Sequence, residues 1–259
     1  MYATERQDAI ERLIATDGRV SVVDLAGRFA VTTETVRRDL AQLESVGALR
    51  RVHGGAVAGE RGSTNEPSLP ERVVRHSAAK AAIGAVASEA LGADFRGSVF
   101  FDAGTTTAAV ADHLAPRLAD EPIEVVTHAL TIAHSLAGIP GVALSLIGGR
   151  VRGLTAAAVG ADTVRAIEAL RPDVAFLGTN GVSSRFGLST PDPEEAAVKK
   201  AIVRSARRVI VVADAEKHGR ELLVSFAPLT AVDVLVTDVA PEGDVEDALR
   251  DADVEVWVP

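Results

Sequence analysis

From residue 98 to the end, short apolar runs alternate with stretches of helical periodicity, and this alternation restricts the fold more than any other feature of the chain. Residues 98–102, 123–127, 142–147, 173–177, 208–213, 232–237 and 254–256 read as strands, and 106–114, 129–137, 160–170, 193–205 and 245–250 as helices. A further helix over 78–91, with Ile83, Val86, Ala87 and Leu91 on one side, precedes the first strand. Strand and helix in regular succession predict an α/β unit built on a mostly parallel sheet with helices on both faces.

Ligands of such sheets gather at the carboxyl ends of the strands, and in this chain those ends are polar or rich in glycine. The first strand exits into Asp102-Ala103-Gly104-Thr105-Thr106-Thr107 and directly into a helix. Gly104 lets the backbone approach a ligand closely, and threonine hydroxyls with free amides at a helix N-terminus make an anion site. Helix capping alone needs only one of the three threonines, which favours a phosphate or sugar site. Gly148-Gly149-Arg150 and Gly178-Thr179-Asn180-Gly181 follow two other strands, and Asp214 and Lys217 lie past a third. The chain has four lysines, at 80, 199, 200 and 217. Glu195 and Lys199 share a helix face four residues apart, which fits either a surface ion pair or a carboxylate and an ammonium facing a polyol phosphate.

The N-terminal part has a different pattern. Helix one covers residues 4–16 and stops at Asp17-Gly18. A short amphipathic helix follows Ser21, and Ala30-Val31 leads tightly into another helix, capped by Thr32 or Thr33 and ended by Gly47. Val36, Leu40, Leu43 and Val46 form its apolar stripe, while Thr35, Arg38 and Gln42 fall opposite, with Arg37 at the flank. Arg50, Arg51 and His53 then surround Val52 in a short β-segment closed by Gly54-Gly55. An arginine pair on a helix is by itself usually a solvated face. Two short helices, a tight turn and a basic β-segment together are what a winged helix-turn-helix presents to a DNA groove.

The net charge of −9 belongs to the rest of the chain. Residues 1–59 carry eight arginines and eight acidic residues, and the remainder nineteen basic and twenty-eight acidic ones. A neutral domain with its arginines on one face still contacts phosphate, but its modest affinity predicts more than one copy per DNA site and hence a homo-oligomer, a dimer or tetramer. No apolar run approaches a membrane span, and Met1 to Arg6 do not read as a signal peptide. The absence of cysteine excludes disulfides and fits a cytoplasmic location. Six scattered histidines show no ligand spacing, so no metal or other cofactor is expected. The expected organisation is a winged helix-turn-helix domain over 1–57, a linker rich in Gly, Pro and polar residues over 58–75, and an α/β sensing domain over 76–259.

The run Val31-Thr32-Thr33-Glu34-Thr35-Val36-Arg37-Arg38-Asp39-Leu40, with Leu43-Glu44, Gly47, Leu49, Arg51 and His53-Gly54-Gly55-Ala56, resembles the DNA-binding signature of the DeoR family of bacterial sugar-metabolism regulators. The resemblance implies DNA contacts by Thr33, Thr35, Arg37, Arg38, Gln42, Arg51 and His53. The strand-end motifs resemble the same family's effector domain, itself similar to ribose-5-phosphate isomerase and coenzyme A transferases. It implies that Asp102, Gly104, Thr105, Thr106 and Thr107 hold a phosphate or nearby hydroxyls, and that Asn180, Glu195, Lys199 and Lys217 line a sugar, with Gly149 and Asp214 in the matching motifs. Two loops depart from the family: His128-Ala129 stand where it often has asparagines, and Ala215-Glu216 where it often has His-Ser. The stretch from Gly178 to Pro193 looks most like the fructose-operon branch, which makes fructose 1-phosphate the leading ligand. The expected function is a non-enzymatic repressor of a carbohydrate-utilisation operon, with double-stranded operator DNA and a phosphorylated sugar as partners. An aldose–ketose phosphate isomerase with Glu195 as base and a constitutive DNA-binding protein are the alternatives. The fused DNA-binding unit counts against the first, and the polar strand ends against the second.

Overall fold

The computed structural model describes residues 2–45, 48–58, 62–120, 123–140 and 142–259. Val46 and Gly47, the expected last stripe position and helix stop, and residues 59–61 of the expected linker lie outside the described residues. The chain divides into two compact units, Met1–Pro67 and Ser68–Pro259.

The first unit holds α1 (Ala3–Asp17), β1 (Arg19–Ser21), α2 (Val22–Phe29), α3 (Thr33–Ser45), β2 (Leu49–Val52) and β3 (Gly55–Ala58). Gly18, at φ 71°, ends α1. The Ser21 hydroxyl accepts from the Val23 and Asp24 amides and starts α2, and Thr32 accepts from the Thr35 amide at 3.1 Å and starts α3. Ala30 makes the turn between α2 and α3 at φ 52°, a conformation uncommon outside glycine. Ile10, Leu25, Val36, Leu40, Leu43 and Leu49 form the small core. The three strands pair antiparallel in the order β1-β3-β2. A buried ion pair, Arg6 Nε to Asp39 Oδ2 at 2.5 Å, ties α3 to α1.

The second unit begins with α4 (Leu69–Val74), inside the stretch expected to be linker, and α5 (Ser77–Ser88). It continues with β4 (Ser98–Phe101), α6 (Thr105–Asp120), β5 (Glu124–Thr127), α7 (Leu130–Leu136), β6 (Ala143–Leu146), β7 (Arg150–Arg152), β8 (Ala157–Val159), α8 (Ala161–Glu168) and β9 (Val174–Gly178). Then come β10 (Gly181–Ser183), β11 (Gly187–Thr190), α9 (Pro193–Ser205), β12 (Arg208–Val212), β13 (Val224–Ala227), β14 (Val234–Val236), α10 (Asp244–Asp251) and β15 (Glu255–Trp257). Seven strands form the expected parallel sheet in the order β15-β14-β12-β9-β4-β5-β6. Successive side chains of a strand point to opposite faces, and the central strands bury both. Phe101 and Phe176 stack, with centroids 5.5 Å apart, among Ile83, Leu114 and Ile132 of α5, α6 and α7. Phe100 and Leu177 face the opposite layer with Ile167, Ile202 and Leu249 of α8, α9 and α10.

The chain runs outward from β4 through β5 to β6, then returns to lay β9 on the other side of β4 and proceeds outward through β12, β14 and β15. The direction of winding therefore reverses between β4 and β9, which opens a crevice at their carboxyl ends. Two small antiparallel sheets, β7-β8 and β10-β11-β13, add to the expected elements. No helix among the described residues is long and apolar enough to cross a membrane.

Candidate functional site

At the reversal point the first residue after β4 is Asp102, which is 0% exposed. Its Oδ2 accepts from the Gly178 amide at 3.0 Å, which ties the ends of β4 and β9 together, and from the Lys199 ammonium. Lys199, also buried, donates to the Gly178 carbonyl at 2.8 Å. Asp102 Oδ1 lies 3.0 Å from His128 Nε2. Burial works against a charged carboxyl here, but the Lys199 ammonium and the His128 contact together hold Asp102 below the usual carboxylate range. His128, at the carboxyl end of β5, donates from Nδ1 to the Ala158 carbonyl at 2.8 Å. Its Nε2 also faces the Ala103 amide at 3.2 Å. A ring protonated only on Nδ1 accepts from Ala103 and turns a lone pair toward Asp102. A ring protonated on both nitrogens donates to Asp102 and turns an N–H toward the Ala103 amide.

Glu195 and Lys199 are both buried, which removes the reading as a surface ion pair, and each pairs elsewhere. Arg152 sets Nη1 3.2 Å from Glu195 Oε1 and Nε 3.1 Å from Asp192 Oδ2. Asp192 Oδ1 accepts from the Glu194 and Glu195 amides at 3.0 Å and caps α9. Asn180 Oδ1 accepts from the Thr190 hydroxyl at 3.1 Å. Gly149 sits at φ 158°, where a Cβ would lie 2.0 Å from Thr163 Oγ1, so this position needs glycine for packing. Thr107 is fully buried and its hydroxyl donates back to the Gly104 carbonyl at 2.8 Å inside the first turn of α6, whereas a helix cap would accept from an amide. The hydroxyls of Thr105 and Thr106 make no hydrogen bond among the described residues, and they flank the free amides at the start of the sixteen-residue α6. At the end of β12, Asp214 is 3% exposed, yet its Oδ1 has no hydrogen-bond partner among the described residues. The Lys217 ammonium stands 3.8 Å from it.

In the first unit Thr33, Arg37, Arg38 and Gln42 are exposed, and Thr35 is half-buried against Thr32 at 2.9 Å between hydroxyls. Arg37 lies 3.6 Å from Glu34 in an exposed pair. Arg51 is engaged by Glu44, through its own amide at 2.8 Å and Nε at 2.5 Å, so this contact braces the β2-β3 hairpin against α3. The two arginine contacts pull Glu44 below the ordinary carboxylate range. Arg50 and His53 are exposed.

No local motif in the sequence marks Arg152, because its partners lie 40 and 43 residues away. His128 stood out only as a departure from the family pattern. The helix α4 did carry a local signal: Ser68 and Glu71 have capping-box spacing, and Glu71 Oε2 accepts from the Ser68 amide at 2.7 Å.

Comparison with known proteins matches residues 6–61 to the DeoR-like helix-turn-helix domain and residues 75–239 to the DeoR C terminal sensor domain. The HTH-type transcriptional regulator GlpR of Haloferax volcanii is 36% identical over 99% of this chain and 98% of its own length. The glycerol-3-phosphate regulon repressor of Escherichia coli K12 is 31% identical over 99% of both chains. Among solved structures, ribose 5-phosphate isomerase from Plasmodium falciparum aligns with 54% of this chain and 53% of its own, at 14% identity and a TM-score of 0.38.

Proposed function

The chain belongs to the DeoR family of transcriptional regulators, and we propose that it is the repressor of a carbohydrate-utilisation operon, controlled by a phosphorylated sugar bound in its second unit. The observation that carries this reading is the buried Asp214 Oδ1 at the carboxyl end of β12, an acceptor with no hydrogen-bond donor among the described residues, with the Lys217 ammonium 3.8 Å away. A buried acceptor left without a hydrogen bond costs about 1–3 kcal/mol, and a sugar hydroxyl supplies the missing donor while an ammonium suits a phosphorylated ligand. The amides and hydroxyls of Thr105 and Thr106 hold the phosphate. Lys199, Glu195 and Asn180 line the sugar, Asp102 acts by setting Lys199, and Gly104 and Gly149 shape the loops. Fructose 1-phosphate is the leading ligand, on the resemblance of the Gly178–Pro193 stretch to the fructose-operon branch.

The outer face of α3, with Thr33, Arg37, Arg38 and Gln42 exposed and Thr35 half-buried, enters the major groove. The hairpin carrying Arg51 and His53 follows the adjoining backbone, with Arg51 aligned by Glu44. Two or more subunits bind repeated or inverted half-sites, and the ligand lowers DNA affinity by binding the DNA-free arrangement more tightly. The test is a pair of substitutions read in two assays. Arg38→Ala is expected to weaken DNA binding and leave fructose 1-phosphate binding intact, and Lys217→Ala to do the reverse. Loss of both activities from either variant, in a folded protein, contradicts the division of roles.

A further inference from the structure

The helix α4 follows the DNA-binding unit directly in sequence, and the contacts that hold it run to the loops of the candidate effector site. Arg72 Nη2 donates to the Leu154 carbonyl at 3.4 Å, in the turn after Arg152. Arg75 Nη2 pairs with Glu216 Oε1 at 2.7 Å. His76 bends the chain between α4 and α5 at φ 52° and sets Nε2 3.4 Å from Glu216 Oε2. Lys80, buried in α5, donates to the Arg72 carbonyl and, at 2.6 Å, to the Arg75 carbonyl, which fixes the end of α4. Burial disfavours a charged His76, but Glu216 outweighs it and holds the imidazole above its ordinary pKa.

Glu216 also looks the other way. Lys217 Nζ stands 3.9 Å from Glu216 Oε2 and 3.8 Å from the unbonded Asp214 Oδ1. One carboxylate is thus shared between the cation offered to a ligand and the Arg75 and His76 side chains at the α4–α5 junction. An anionic ligand that engages Lys217 draws it from Glu216 and adds negative charge beside the loop, so the share taken by Arg75 and His76 must change. The side chains of Arg75 and Glu216 are only 16% and 20% exposed, so solvent screens that change little.

We propose that Glu216 is the coupling residue of the sensor: it carries occupancy of the Asp214–Lys217 loop to the α4–α5 junction through Arg75 and His76. This rests on the reading that the loop contacts the phosphorylated ligand. Glu216 stands at a departure from the family pattern, where the resemblance puts His-Ser in place of Ala215-Glu216.

The test uses the full chain as wild type, Glu216→Ala, Arg75→Glu, and the charge-swapped double variant Arg75→Glu/Glu216→Arg. Calorimetry reads fructose 1-phosphate binding, and fluorescence anisotropy reads operator affinity with and without fructose 1-phosphate, with inorganic phosphate as a second probe. The wild type is expected to lose about fivefold or more of its DNA affinity on binding ligand, the scale of an allosteric coupling. Glu216→Ala and Arg75→Glu are expected to bind fructose 1-phosphate within about threefold of wild type while ligand changes their DNA affinity by less than about twofold, and the double variant, which restores the 75–216 pair but no longer attracts Lys217, is expected to stay unresponsive. A full DNA response in Glu216→Ala overturns the proposal, and so does loss of ligand binding in that variant, which makes Glu216 part of the pocket or of the fold. A wild type that binds neither probe overturns the reading that this loop contacts fructose 1-phosphate, on which the proposal rests, and is distinguished by failing before any substitution is made.

Discussion

At the scale of the residue, the buried charges decide most. Lys199 and Asp102 form an ion pair with almost no solvent access, and removing one partner of such a pair costs about 3–5 kcal/mol because the other charge is left buried and unpaired. Lys199→Met is expected to lower the unfolding free energy by about that much, and adding Asp102→Asn to recover part of it. Urea unfolding of the three proteins checks this, and additive losses in the double variant contradict it. Lys80 gives a second prediction, with a definite sign. Burial lowers its pKa from 10.5 to about 8, Asp214 opposing and Lys217, Arg72 and Arg75 adding to the fall. Between those values the unfolded chain binds more protons than the folded one, so stability rises with pH from about 8 to about 10.5, by at most about 1.4 kcal/mol per pH unit. Lys80→Met is expected to remove this rise from the difference between variant and wild-type unfolding curves. A difference that stays constant over that range sinks the assignment.

At the scale of the element, the two units differ in how they hold their parts. In the small unit α3 is fixed to α1 by the buried Arg6–Asp39 pair, so Asp39→Ala is expected to cost about 3–5 kcal/mol and to melt this unit at lower temperature. Differential scanning calorimetry checks this, and an unchanged first transition contradicts it. Arg38, exposed on the opposite face, is expected to act on binding alone. Arg38→Ala should weaken all DNA sequences together and reduce the salt slope by about one, if it meets a phosphate. The helices and parallel strands were legible because period 3.6 and continuous apolar runs are local signals. The strands of the β10-β11-β13 sheet were not, since each has three or four residues, with glycine and serine among them, and β13 joins β11 only by long-range pairing. Asp102 and Lys199 were named from their loops and helix, but the pair itself joins residues 97 apart and has no sequence signal. Arg152 escaped for the same reason. Thr107 looked like its neighbours in sequence, and only the fold separates its buried, back-bonded hydroxyl from the two that make no hydrogen bond among the described residues.

At the scale of the whole molecule, charge and linkage govern. The acidic balance lies outside the DNA-binding unit, which keeps non-specific attraction to DNA weak. In the proposed regulation the phosphorylated ligand and the operator prefer different arrangements of the same chain, and linkage then has each weaken the other by the same factor. The measurement that tests this most directly is a fluorescence-anisotropy titration of the full chain against DNA from its own upstream region, at fixed salt, with and without fructose 1-phosphate, glycerol 3-phosphate and other sugar phosphates. Tight, salt-sensitive binding that one of these compounds relieves is the predicted result. Specific binding that no phosphorylated sugar or polyol alters, in a protein that binds none of them by calorimetry, would contradict the account.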